Sequence, residues 1–340
     1  MKPSLKNIAK TLSLSTAAVS KALNDYPDIS NYTKNIVKNY AKKIGYQPNA
    51  QATFLRTQKT RMVGVIIPNP SEPFFAEILE GILNEAQKNN YIVVVGNSKD
   101  SFVIEKRLVN QFLQQKVDGI LLSLARDTSE YKHLNDIISN KCALVMFDNV
   151  AKLIKCSKVY VDDKIAAFRA TEHLIKIGCN KIAHFRGGLN PQNSIDRYLG
   201  FRDALTKYKI PYDPDKVLIS NKGSLSEGYI LAKKLHEGGI KIDGLLCFTD
   251  HLAIGAIRYY KENNINVPSS ISVIGFSNTN LSELTYPPLS TVDQNAPRMG
   301  RAAMGLFISE QNKLSQNNKN ELETVILKTK LLIRESSKNT

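Results

Sequence analysis

The chain has no C-x-x-C pair, no H-x₃-H or H-E-x-x-H spacing, and no apolar run approaching ~18 residues. Its four cysteines, Cys142, Cys156, Cys179 and Cys247, are widely spaced, which argues against a disulfide framework or structural zinc and for reduced thiols in a cytosol. The opening Met1-Lys2-Pro3-Ser4-Leu5-Lys6 lacks the apolar segment of a signal peptide, so a soluble, cytoplasmic protein without a membrane partner is expected. G-x-G-x-x-G, G-x-x-x-x-G-K-[ST] and G-x-S-x-G are absent. Gly187-Gly188 follows a strand ending at Phe185, but a glycine pair is as easily a plain turn. An α/β enzyme carrying a DNA-binding appendage therefore has no motif to rest on. No catalytic residue, metal or cofactor is assigned. A stand-alone transport receptor fits neither the missing signal peptide nor the N-terminal segment described next.

Acid is also scarce at the N-terminus. Residues 1–60 hold ten Lys and Arg against only Asp25 and Asp28, a charge of +8, whereas the other 280 residues carry +7 of the total +15. Such a concentration is expected where phosphates must be neutralised. Within it, Leu5, Ile8, Ala9 and Leu12 form one apolar stripe, and Ala18, Val19, Ala22 and Leu23 a second. Ser13-Leu14-Ser15 lies between them, and Ser15 is placed to cap the second helix. That helix presents Thr16, Ala17, Ser20 and Lys21 outward, a small, polar and basic face that suits a major groove. The pattern is a helix-turn-helix, and double-stranded DNA is the expected partner. A third helix is predicted over 31–44, capped by Ser30 and ended by Gly45, with Ile36, Val37, Tyr40 and Ile44 inward. Residues 47–60, with Pro48 at a first-turn position, read as a linker too short to be a stable helix alone.

From Met62 the pattern changes to β-branched runs alternating with helical stretches, beginning Val63–Ile67, Phe74–Lys88, Ile92–Val95 and reaching His251–Glu262 and Val273–Gly275. This alternation predicts α/β architecture with two doubly wound parallel sheets, whose ligands bind beyond the strands' carboxyl ends. The polar run Ser309–Asn320 reads as a surface loop and Ser336–Thr340 as a frayed tail.

Taken in order, these segments resemble the LacI/GalR family of transcription regulators over essentially the whole chain. The resemblance is carried by Leu5-Lys6-Asn7-Ile8-Ala9, Leu14-Ser15 and Val19-Ser20-Lys21-Ala22-Leu23-Asn24 in the headpiece. It continues through Gly45-Tyr46-Gln47-Pro48-Asn49, Leu55-Arg56-Thr57, Ile66-Ile67-Pro68, Pro73-Phe74-Phe75-Ala76 and Val117-Asp118-Gly119. Further on come Thr171-Glu172-His173-Leu174, Arg197 with Gly200-Phe201, Asp250 with Ala253-Ile254-Gly255-Ala256, Val273-Ile274-Gly275-Phe276 and Pro287-Pro288 through Asp293-Gln294.

The resemblance implies a small all-α headpiece over 1–46, a hinge helix over 47–60 and a periplasmic-binding-protein-like core over 61–340. Lobe 1 of that core would comprise about 61–160 and 292–322, and lobe 2 about 161–291 and 323–335. It implies a homodimer on a palindromic operator, acting as a repressor and switched by a small polar effector, a sugar or sugar derivative, between the lobes. Thr16, Ala17 and Lys21 then occupy base-reading positions, and Ser4, Ser15, Ser20, Asn24 and Thr33 phosphate-contact positions. Asn49, Ala52 and Leu55 belong to the hinge's DNA contacts, Ala52 and Leu55 in the minor groove. Three departures stand out: Lys21 where Arg is usual, Ala17 offering only a methyl, and Ser13 where Gly is frequent.

Phe74, Phe75, Asp148, Asn149, Arg197 and Asp250 are the implied effector residues, with one of the two phenylalanines expected to line the cleft. Carboxylates accept from hydroxyls, a guanidinium donates as a fork and an aromatic face stacks on an apolar ring face. The competing readings are core packing for the phenylalanines, a helix cap for Asp250, a turn for Asp148 and a structural ion pair for Arg197.

Overall fold

Three serines set the starts of the first three helices. Ser4, Ser15 and Ser30 lie in extended backbone, and each hydroxyl oxygen accepts from the N–H three residues on, at Asn7, Ala18 and Thr33. They open α1 (Leu5–Leu12), α2 (Thr16–Leu23) and α3 (Asn31–Lys43). In the computed structural model, which describes residues 3–46, 59–315 and 322–337, these helices belong to a unit ending at Thr60, and Arg61–Thr340 forms a second.

The turn after α1 places Ser13 in the left-handed region at φ 51°, the conformation that favours glycine, and its N–H bonds the Ala9 carbonyl. Gly45, at φ 65°, follows the end of α3. Ile8, Ala9, Val19, Ala22, Val37 and Ala41 make the headpiece core. Ile36, expected inward, is exposed. The stripe on α3 runs through Val37, Tyr40, Ala41 and Ile44, and Ile36 is one position off it. The expected hinge segment, with Asn49, Ala52 and Leu55, lies outside the described residues.

The second unit contains two six-stranded sheets. The first holds β1 (Met62–Ile67), β2 (Ile92–Asn97), β3 (Gly119–Leu122), β4 (Ala143–Phe147), β5 (Ser157–Val161) and β11 (Thr324–Leu327). Its strand order is β2-β1-β3-β4-β5-β11 and every pairing is parallel. The second holds β6 (Ile182–Arg186), β7 (Val217–Ile219), β8 (Gly244–Cys247), β9 (Ser272–Phe276), β10 (Ser290–Asp293) and β12 (Lys330–Leu332). Its order is β7-β6-β8-β9-β10-β12, parallel except that β12 runs antiparallel to β10. Nearly continuous β-branched and aliphatic runs such as Val63–Ile67 suit strands covered on both faces.

The helices that position the site are α4 (Pro73–Lys88), α7 (Asp163–Lys176), α8 (Gln192–Lys207), α9 (Leu225–Glu237), α10 (Asp250–Glu262) and α12 (Ala296–Ser315). By sheet membership the chain passes between lobes after Val161 and after Asp293, close to the expected positions, whereas the third passage lies between Leu327 and Lys330 rather than near 322/323. The largest change is at β11: Thr324–Leu327 pairs in register with Lys158–Val161 and so completes the lobe 1 sheet.

Two polar segments also differ from expectation. Ser309–Ser315 is the last part of α12, not loop, because its polar groups have interior partners: Ser157 donates to buried Glu310, and Gln311 donates to the Asp118 carbonyl at 3.1 Å. Ser336 and Ser337 are buried rather than frayed, with the Ser336 hydroxyl donating to the Val273 carbonyl and accepting from the Ser290 N–H.

α4 and α12 pack backbone against backbone. A Cβ added to Gly300 would lie 2.0 Å from the Ile78 carbonyl oxygen, and one added to Gly81 would lie 2.2 Å from that of Pro297. Gly300→Ala should therefore push the helices apart and cost about 1–3 kcal/mol. Urea denaturation of the variant checks this, and an unchanged midpoint would show that the contact tolerates a methyl group.

Candidate functional site

The first candidate surface is on the headpiece. Thr16, Ala17 and Lys21 are exposed along α2, Ser20 is half-buried, and Asn24 closes the helix with its amide donating to the Ser20 carbonyl at 2.7 Å. Ser4 and Ser15 stand at helix N-termini, where backbone N–H groups and the helix dipole favour an anion. Thr33 lies in the first turn of α3, its hydroxyl 2.9 Å from that of Ser30. α2 itself carries no acid, yet Asp28, from the segment after the helix, forms an ion pair with Lys21. Both groups are exposed, so solvent and salt screen the pair and a phosphate or base edge can exchange for it.

The second candidate is the cleft between the two sheets of the 61–340 unit, beyond the carboxyl ends of both sets of strands. Each sheet reverses its strand order between its first and third strands, the place where such folds bind ligands. Asp148 and Asn149 follow β4 there, and Arg197 projects from α8. Phe74 and Phe75 both line the cleft, correcting the expectation of one. Their rings meet edge to face, 5.4 Å between centroids, and also pack into the lobe 1 core. The space accessible to water is about 50 Å³, room for a few water molecules.

Cross-lobe contacts hold this arrangement. The Asn149 side-chain oxygen accepts from the Gln192 N–H at 3.2 Å, while its amide donates to the Leu124 carbonyl at 3.1 Å. Arg126 donates to the Asn221 carbonyl at 3.3 Å, Lys152 pairs with Asp196 at 2.7 Å, and His251 stands 3.8 Å from Glu72. The glutamate raises the His251 pKa.

Arg197 is both an ion-pair partner and a cleft residue. Its Nε donates to Asp163 at 2.7 Å and its Nη1 to the Phe248 carbonyl at 2.7 Å, with the guanidinium 3.6 Å from the Phe276 ring centroid. Burial pushes Asp163 up to about 6, against the pull of Arg197. Asp148, at φ 57°, accepts from the Ser123 hydroxyl at 3.3 Å, and burial pushes its carboxyl up to about 7. Near neutral pH this group can either donate to or accept from a ligand hydroxyl.

The elevated Asp148 pKa has a consequence for folding. Between about 4, its unfolded value, and about 7 the folded chain holds this proton more firmly than the unfolded one. This group's contribution therefore falls as pH rises through that window. Asp148→Asn should flatten that part of the profile, and melting temperatures across the range measure it. An unchanged slope would place the proton elsewhere.

Asp250 is not among the residues lining the cleft. Its carboxylate is buried in lobe 2, accepting from the Thr279 N–H at 2.7 Å, the Thr279 hydroxyl at 3.1 Å and the Thr291 hydroxyl. Nor is it the helix cap: Thr249 caps α10, accepting from the Leu252 N–H.

The structure instead adds Arg126, Asn193 and Gln294 to the cleft. Asn193 Oδ1 and Gln294 Nε2 are buried there without hydrogen-bond partners among the described residues. Arg126 follows β3 and Gln294 follows β10, so the rule that ligands sit beyond strand ends was the available signal for both.

Comparison with known proteins agrees with this architecture. A family model described as a periplasmic binding protein-like domain matches residues 171–337. Catabolite control protein A of Priestia megaterium is 32% identical over 314 residues, 92% of this chain and 94% of that one. HTH-type transcriptional regulator RegA of Clostridium saccharobutylicum is 29% identical over 338 residues, 99% of this chain and 100% of the relative. Among solved structures, the lac repressor dimer bound to operator and the anti-inducer ONPF superposes with a TM-score of 0.86, covering 99% of each chain at 21% identity, a likeness of fold. A helix-turn-helix followed by two parallel-sheet lobes, with a relative this similar over nearly the whole length, makes the chain a member of the LacI/GalR family of DNA-binding transcription regulators rather than an enzyme.

Proposed function

We propose that the chain binds a palindromic operator as a homodimer and represses transcription there. A small polar metabolite, a sugar or sugar derivative, in the interlobe cleft switches that binding. The observation that carries the effector assignment is the pair of orphaned buried groups, Asn193 Oδ1 and Gln294 Nε2, facing a cleft that also offers Asp148, Arg197 and two aromatic rings. Buried polar atoms without partners are costly, and a polyhydroxylated ligand satisfies them. The ligand must prefer one lobe arrangement over the other, since equal affinity shifts nothing. The cross-lobe bonds of Asn149 and Arg126 are contacts that a change of lobe arrangement would break. Asp250 contributes by holding Thr279 and Thr291 beneath the cleft.

Thermal-shift screening of the full chain against sugars, nucleosides and phosphosugars tests this directly. A ligand at 100 times its Kd adds roughly 2.7 kcal/mol of stability. A hit whose effect survives unchanged in Asp148→Asn and Asn193→Leu would place the site elsewhere.

On the DNA side, Thr16, Ala17 and Lys21 read bases, and Ser4, Ser15, Ser20, Asn24 and Thr33 anchor phosphates. One module of this size buries only roughly 600–1,000 Å² on DNA, so two are needed for tight, specific binding. Asn49, Ala52 and Leu55 are assigned to the hinge on sequence alone, with Leu55 entering a central minor-groove step. Leu55→Ala should weaken specific binding while leaving the melting of the 61–340 unit unchanged. A destabilised unit with normal DNA affinity would instead make Leu55 a core residue.

A further inference from the structure

Arg186, the last residue of β6, is 9% exposed, and its Nε is buried without a hydrogen-bond partner among the described residues. Among the described residues no carboxylate pairs with its guanidinium, which lies 4.3 Å from the Tyr198 ring centroid. The Tyr198 hydroxyl is 2.9 Å from that of Tyr212, and Arg202 lies 4.9 Å from the Tyr212 ring, likewise without an acid among the described residues. The result is a cluster of two arginines and two tyrosines where α8 and the segment before edge strand β7 meet, Arg202 also lying 5.9 Å from the Tyr198 ring.

Several acids of the surrounding segments are already engaged, Asp196 with Lys152, Asp203 with Lys164, Asp213 with Lys216, and Glu172 with Lys176 and Lys207, while exposed Asp215 pairs with neither arginine. Arg197, on α8, shows the contrast with Arg186, since its buried charge is met by Asp163. Burial presses the Arg186 pKa downward. A buried cation without a charged partner weakens the fold, and an anion from outside the chain would offset that cost.

We propose that Arg186 and Arg202, with the Tyr198–Tyr212 hydroxyl pair, form an oxyanion-binding site on the β7 side of lobe 2, separate from the interlobe cleft, that takes the phosphate or carboxylate group of a small metabolite. The guanidinium fork matches either group with two parallel N–H donors. One of the two tyrosine protons bridges the hydroxyls, and the other can donate to the anion. The site does not depend on the effector assignment above, because neither arginine lines that cleft.

The test is a melting series on the full chain in chloride, inorganic phosphate, a hexose phosphate and citrate, at matched ionic strength so that screening is constant. Phosphate and citrate stabilise folded proteins generally by exclusion from their surface, so the rise that counts is the part present in the wild type and absent from Arg186→Met, and the anion that shows it identifies the group recognised. Arg186→Met should abolish that rise. In chloride the same variant should melt at or above the wild type, because methionine packs against Tyr198 with no charge to desolvate. Arg202→Met should reduce the rise. Absence of any anion-specific rise in the wild type would overturn the proposal, as would a full rise in Arg186→Met. A variant that melts well below the wild type in chloride would overturn it too, showing the arginine to be a packing element of the fold.

Discussion

Arg197→Ala should destabilise the 61–340 unit by about 3–5 kcal/mol and abolish the response to effector together. The two losses have one origin. The guanidinium lies between the Phe248 and Phe276 rings and holds Asp163, itself buried, as the charged partner. Alanine leaves that carboxylate without its donor in a poorly solvated place. Asp163 must then stay protonated or carry an uncompensated charge, so the penalty deepens as pH rises. Pairing Arg197→Met with Asp163→Asn separates the roles: removing both charges should recover much of the stability but none of the effector response. Urea unfolding and ligand titration of the three proteins measure this. A double variant that still answers to effector would reduce Arg197 to a structural ion pair.

Lys21→Ala should weaken specific operator binding by about 1–3 kcal/mol and relax sequence preference, while binding to random DNA falls much less. The ion pair with Asp28 adds a second expectation. Asp28→Asn releases the Lys21 amine and removes a negative charge beside α2, so it should tighten binding to all sequences, most at low salt. Fluorescence anisotropy against selected and random duplexes distinguishes the two residues. An equal loss on both duplexes for Lys21→Ala would make it a phosphate contact.

Local signals made most of the scaffold legible in the sequence. Ser15 and Ser30 cap the helices predicted for them, and the predicted runs Val63–Ile67 and Val273–Gly275 fall inside strands β1 and β9. Where the reading failed, a distant partner decided the outcome. Glu310 and Gln311 look like solvent residues until Ser157 and the Asp118 carbonyl are brought to them from more than 150 positions away. The Ser336 hydroxyl is likewise buried by its bond to Val273. The same reason explains the effector residues. The headings of Asp148 and Arg197 follow from strand ends and helix phase, whereas Asp250 is turned from the cleft by Thr279 and Thr291, elements late in the chain.

Thermodynamic linkage between cleft and operator is the central claim, and it is reciprocal: an effector that changes operator affinity by some factor must have its own affinity changed by operator to the same extent. The direct measurement is the Kd of a ligand found by thermal shift, determined by calorimetry on the full chain with and without a saturating operator duplex selected from random sequences. The account predicts Kd values differing by about 5–150-fold, matched by the ligand's effect on operator affinity and lost in Asp148→Asn. Equal ligand affinity in the presence and absence of operator would contradict it.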